Sequence, residues 1–144
     1  MNNKKLASIL LAFGKSYQSP GALMLRILII EDAIHVAHLL AASVRLQGHE
    51  AIVAGGGQEG LALLEQRHPD AVFLDIVMPK LSGIEVLRRI RESHPALPVI
   101  VITGSASPQQ INEARRLGVI DVIEKPFALK ELDEVLETLQ AEQP

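Results

Sequence analysis

From Leu25 onward the chain alternates short apolar runs with segments whose apolar residues return every three or four positions. LRILII (Leu25–Ile30) reads as a strand buried on both faces. A helix is expected from about Ala33 to Gln47, with Val36, Leu39, Leu40 and Val44 inward. Gly48 is placed to end it, because glycine accepts the left-handed backbone found there. Ala51–Ala54 reads as a short strand, Gly55-Gly56-Gly57 as a turn, and 58–67 as a helix with Leu61 and Leu64 inward, stopped by Pro69. AVFL (71–74) is the third strand and ends on Asp75.

Pro79 and Gly83 flank the next loop. Ser82 and Glu85 have the S-x-x-E spacing of a capping box, which satisfies the free amides of a helix start. That helix carries Ile84, Leu87 and Ile90 inward, and Arg88, Arg89, Arg91 and Glu92 outward. VIVI (99–102) is the fourth strand. Ser107-Pro108-Gln109-Gln110 opens another helix, with Ser as cap, Pro in the first turn and Gln at the third position; Gly118 ends it. Val119–Ile123 reads as the fifth strand. The last helix carries Leu129, Leu132, Leu136 and Leu139 on one stripe.

Five strand–helix units in succession, with no strand–strand hairpin, predict an α/β fold. Right-handed crossovers make it a doubly wound, five-stranded parallel sheet of order 2-1-3-4-5, with helices on both faces. In such sheets, sites lie at the carboxyl ends of the strands near the switch point. The 144 residues suit one domain, and 48% of them are apolar with few aromatics, so an aliphatic core is expected. The net charge of −3 gives no sign of a nucleic-acid surface. The absence of cysteine excludes disulfides, thiolate metal sites and cysteine nucleophiles. No apolar run approaches the roughly 20 residues that cross a bilayer. Residues 1–23 read as an N-terminal extension, a tail or a packing helix. Leu6, Ile9, Leu10 and Phe13 fit one helix face, and the main domain is expected over 24–144.

The strand ends carry the candidate chemistry. Glu31 and Asp32 follow strand one, Asp75 strand three, Thr103 strand four and Lys125 strand five. Clustered carboxylates repel one another and favour a divalent cation. Hard oxygen ligands without His or Cys suit Mg²⁺. A carboxylate can attack phosphorus in line, while an ammonium and a hydroxyl hold the other phosphoryl oxygens. Asp75, at the end of the central strand, is the expected nucleophile. Taken singly, each residue also has a plainer role: Asp32 capping the next helix, Thr103 bonding a loop, Lys125 as a solvated charge.

With IIED after strand one, FLDIVMPKLSG around Asp75, VITG at strand four and VIEKPF at strand five, the chain resembles the receiver domains of two-component response regulators, over roughly Leu25 to Ala141. The resemblance implies a flavodoxin-like receiver fold and a cytoplasmic phosphorylation switch rather than a classical enzyme. It implies Asp75 as phosphoacceptor, with Thr103 and Lys125 contacting the phosphoryl group. It implies a Mg²⁺ ion on Asp32, Asp75 and the backbone carbonyl of Val77, supported by Glu31, and a cis Lys125–Pro126 bond. The phosphoryl donor would be a histidine kinase or a histidine phosphotransfer protein. Because the sequence ends with the last helix, a stand-alone receiver signalling by protein contact or phosphorelay is expected, without direct nucleic-acid or membrane contact and with homodimerisation left open.

Two positions depart from the family. Val122 stands where receivers carry an aromatic that couples phosphorylation to the outer face, so the resemblance does not extend to that coupling. Ala33 replaces a third acidic position. An aspartate-nucleophile phosphatase would place a second aspartate at position 77, which is valine here. A degenerate receiver serving as a binding or dimerisation module is the remaining alternative. His35 and His38, at i and i+3, are read as a polar helix face rather than a metal pair; the other three histidines carry no pattern.

Overall fold

A computed structural model describes residues 23–142. The extension expected over 1–23 lies, apart from Leu23, outside the described residues. The elements run β1 (Arg26–Ile30), α1 (Ile34–Leu46), β2 (Glu50–Ala54), α2 (Gly57–Arg67), β3 (Ala71–Leu74), α3 (Gly83–Ser93), β4 (Val99–Thr103), α4 (Pro108–Arg116), β5 (Asp121–Glu124) and α5 (Leu129–Ala141). The five strands form one sheet of order β2-β1-β3-β4-β5, and every pairing is parallel. This is the predicted fold.

Alternate residues of the central strands feed two apolar layers. Ile27, Ile29, Phe73, Ile100 and Ile102 pack against α1 and α5. Leu28, Ile30, Val72, Leu74, Val99 and Val101 pack against α2, α3 and α4. Covering both faces explains why these strands read as apolar runs rather than as alternating patterns. The caps follow the sequence. Gly48 and Gly118 take positive φ after α1 and α4. Ser107 and Gln110 form the full reciprocal capping box. At α3 only half of the box is present. Ser82 accepts from the Glu85 amide, while the Glu85 carboxylate turns to Arg88 and Arg89.

Four expectations need correction. Leu39 is exposed, because Ala37, Leu40, Ala41 and Val44 fill the buried arc of α1 and Leu39 lies about 100° around the helix from Leu40. Leu129 is exposed as well, since it opens α5 before the helix settles on the sheet; Val135 joins Leu132, Leu136 and Leu139 beneath it. Arg91 does not point to solvent. Its guanidinium donates to the carbonyls of Leu117, Gly118, His94 and Leu97, tying the α4 and α3 ends together. Finally, β5 starts at Asp121 rather than Val119. The Val119 amide still caps α4 through Ala114, and Ile120 only leads into the sheet through Val99. The strand lies at the sheet edge, where Ile120 and Asp121 are exposed.

Gly83 fixes the loop that carries the end of β3 against the start of α3. A Cβ there would lie 2.2 Å from the Asp75 carbonyl oxygen and from the Ile76 Cα. Both atoms are backbone and cannot swing aside. At the opposite end of the sheet, His49 is buried and its Nδ1 accepts from the Leu25 amide at 3.0 Å. Burial lowers the His49 pKa, with the Asp70 charge opposing.

Gly83→Ala is expected to destabilise the fold by about 1–3 kcal/mol, the usual cost of overpacking; chemical denaturation measures it. His49 has a folded pKa below its unfolded value near 6.5. The unfolded chain therefore takes up the proton first, so stability is complete above about pH 6.5 and falls as pH drops below it. His49→Asn keeps an acceptor but cannot charge. Denaturation midpoints compared between pH 7 and pH 5 should show a smaller acid-dependent loss in this variant than in the parent.

Candidate functional site

The parallel sheet brings the carboxyl ends of β1, β3, β4 and β5 to one edge. Glu31 and Asp32 leave β1, Asp75 leaves β3, Thr103 closes β4, and Lys125 follows β5. The Glu31 amide donates to Ala54 and the Asp75 amide to Ile30, so both acids are anchored by continued ladder bonds. The Lys125 amide donates to the Thr103 carbonyl in the same way. Backbone pairing therefore sets the spacing of the side chains.

Lys125 is the centre of the cluster. Its Nζ donates to Glu31 Oε2 at 2.9 Å and to Asp75 Oδ2 at 3.0 Å. The carboxylates are deeply buried, with side-chain exposures of 1% for Glu31 and 7% for Asp75, against 21% for Lys125. The remaining oxygens are also met. Glu31 Oε1 accepts from the Ala33 amide at 3.1 Å, and Asp75 Oδ1 from the Val77 amide at 2.9 Å. Burial raises the Glu31 pKa, and the Asp75 charge adds to that rise against the lowering effects of Lys125 and the Ala33 amide. Burial alone would lower the Lys125 pKa, but its bonds and charge attraction to Glu31 and Asp75 outweigh it and raise the ammonium above its usual range.

Glu31, Asp32 and Asp75 each offer an oxygen within 4.8 Å of the others. The donor set is all oxygen, which fits a hard divalent cation such as Mg²⁺. Asp32 is exposed and has no hydrogen-bond partner among the described residues. It does not cap α1; the N-cap is Ala33, with no side-chain bond. The plainer reading of Asp32 is thereby removed. Thr103 supplies a second unmet group, because its Oγ1 is buried and has no partner among the described residues. A buried hydroxyl without a partner is costly, and a ligand oxygen would relieve it. The Lys125–Pro126 bond is cis.

All five side chains singled out at the strand ends are thus brought to one edge. Val77 is exposed, with its amide turned back to Asp75. His35 and His38 stay on the exposed face of α1. Two contributions escape the sequence reading. The Ala33 amide, which holds Glu31, has no side-chain signal to announce it. Gly104 sits where a Cβ would come 3.2 Å from the Lys125 Cβ. It is visible in VITG, but only the fold shows what it makes room for.

Comparison with known proteins agrees with this fold. The profile of the response regulator receiver domain matches residues 27–137. The regulatory protein AtoC of Escherichia coli is 38% identical over 112 residues, which cover 78% of this chain and 24% of AtoC. The response regulator MprA of Mycolicibacterium vanbaalenii is 38% identical over 107 residues, covering 74% of this chain and 46% of MprA. The chain therefore spans about a quarter of one relative and just under half of the other. Among solved structures, the receiver domain of NtrX from Brucella abortus matches with a TM-score of 0.76 and 34% identity, over 81% of this chain and 99% of that one. A CheY-like receiver domain protein from Methanospirillum hungatei matches with a TM-score of 0.77 and 27% identity, over 83% and 96%. With profile, relatives and fold in agreement, this chain belongs to the response regulator receiver domain family.

Proposed function

We propose that the chain accepts a phosphoryl group on Asp75 from a phosphohistidine, carried by a histidine kinase or a histidine phosphotransfer protein, and that the phosphorylated form acts through protein contact or phosphorelay. The observation that carries this reading is the Lys125 ammonium 3.0 Å from Asp75 Oδ2, beside a buried hydroxyl, Thr103, at the same strand edge. An Asp75 carboxylate oxygen attacks phosphorus while the P–N bond breaks, and the departing imidazole keeps the bonding electrons and takes up a proton. Lys125 then neutralises the phosphoryl oxygens it can reach from its present position. The Thr103 hydroxyl donates to another and so gains the partner it lacks.

The acidic group suits Mg²⁺, held by Asp32, Asp75 and the Val77 carbonyl and supported by Glu31; the ion would neutralise charge as the phosphoryl group arrives. Glu31 suits a supporting role because its side chain is the more deeply buried, 1% exposed against 7% for Asp75. Asp32, exposed and unengaged among the described residues, suits direct ligation.

Intact-protein mass spectrometry after incubation with acetyl phosphate and Mg²⁺ tests the reading. One added phosphoryl group is expected in the parent and none in Asp75→Ala. No addition under any condition would leave a binding or dimerisation module in place of a switch. Mg²⁺ should also raise the melting temperature, because a ligand that binds only the folded state stabilises it by mass action. That rise should shrink in Asp32→Ala; an equal rise in both proteins would remove Asp32 from the metal site.

A further inference from the structure

The side of α1 and α5 that faces away from the sheet does not read as an ordinary solvated surface. Leu39 and Leu46 lie seven residues apart on α1 and are 46% and 41% exposed. They share a shoulder of the helix with Gln47, which lies close enough to Asp133 of α5 to lower its pKa against the rise caused by burial. On the opposite shoulder Arg45 donates to the Ala51 carbonyl of edge strand β2, which leaves Leu39 and Leu46 on the flank toward α5, the helix packed beside α1 in one apolar layer. On α5, Leu129, Asp133 and Glu137 follow one another at intervals of four residues along the same side. The α1 side thus presents exposed apolar side chains, and Asp133 and Glu137 face them from the α5 side. Of the other carboxylates on this helix, Glu131 and Glu134 flank β5 instead, so Asp133 and Glu137 carry the negative charge on the α1 side.

The chain enters the described fold beside this groove. The Gln140 side chain of α5 donates to the Leu23 carbonyl at 2.7 Å, and Leu23 and Met24 add further exposed apolar surface. The residues before Leu23 have the complementary chemistry. Lys4, Lys5 and Lys15 occur there with no Asp or Glu, and Leu6, Ile9, Leu10 and Phe13 recur at i, i+3, i+4 and i+7. The stretch 14–22 can span up to about 30 Å when extended. The whole of α1 is only about 20 Å long, so the segment can reach any part of the groove.

We propose that Leu6–Phe13 of this chain docks in cis into the outer groove between α1 and α5, with its apolar residues on Leu39 and Leu46 and its lysines over the α5 carboxylates. The docking covers apolar surface that otherwise faces water and places cations beside crowded anions. It does not depend on the phosphorylation reading, because no residue of the acidic pocket takes part.

The chain has no cysteine, so Ala7→Cys provides a single attachment point for a nitroxide spin label in the full-length protein. Amides of Leu39–Gln47 and Leu129–Glu137 should lose NMR signal intensity, while those of α2 and α3, on the opposite face of the sheet, keep it. High salt should restore part of the lost intensity, since exposed charges are screened. Adding Leu39→Lys and Leu46→Lys should abolish the effect. So should adding Ile9→Ser and Leu10→Ser, which lie outside the described fold and leave its core untouched. Uniform broadening, no broadening, or an effect that survives the Ile9→Ser/Leu10→Ser pair would overturn the proposal. So would broadening of isotope-labelled wild-type protein on mixing with spin-labelled protein that carries no isotope, because the segment would then reach a second copy.

Discussion

One ammonium between two buried carboxylates governs the functional edge of this molecule. Lys125 must stay within hydrogen-bond distance of Glu31 and Asp75, because two buried acids without that cation would repel one another. The three residues stand 44 and 50 positions apart along the chain, yet each is tied to its neighbouring strand by a backbone bond at the sheet edge. The parallel ladder therefore does the positioning. Residues that look incidental serve the same end, since Gly83 lets α3 begin against the Asp75 carbonyl and Gly104 leaves space for the Lys125 stem.

The cluster is balanced but not complete. Two of its acids have all their oxygens engaged, while Asp32 and the Thr103 hydroxyl have no partners among the described residues. An unmet acceptor and an unmet donor at one edge are what a cation and a phosphoryl oxygen would answer. A purely structural ion-pair network would have little reason to leave a buried hydroxyl without a partner. The two faces of the sheet differ in a related way. One carries three helices, two of which, α3 and α4, are tied at their ends through Arg91 and its four carbonyls. The other carries only α1 and α5, and leaves an apolar shoulder next to a carboxylate-rich helix.

Much of this was legible beforehand, for identifiable reasons. The apolar runs of β1, β3 and β4 announce strands covered on both faces, and Gly48, Gly118 and Ser107 mark helix ends by chemistry that acts within a few residues. Glu31, Asp32, Asp75, Thr103 and Lys125 stood out because each follows a strand, and strand ends in a parallel sheet converge. The misreadings share one cause. Leu39, Leu129 and Val119 are apolar, and local periodicity assigns apolar residues inward or to strands. Only the packed neighbours show that Ala37 and Ala41 already fill the α1 contact and that Val119 is spent on closing α4. Arg91 differs the other way, as a charge whose partners are carbonyls of its own helix end and of a distant one.

By itself, the sequence determined the element order, the parallel doubly wound topology and the residue types at the strand ends. Those depend on local periodicity, on turn chemistry and on the fixed hand of the crossovers. Only the tertiary structure decided which side chains meet, which hydroxyl is left unsatisfied, and which apolar residues face water. Those properties depend on distances between segments dozens of residues apart, and such distances exist only once the ladder registers and the helix packing are set.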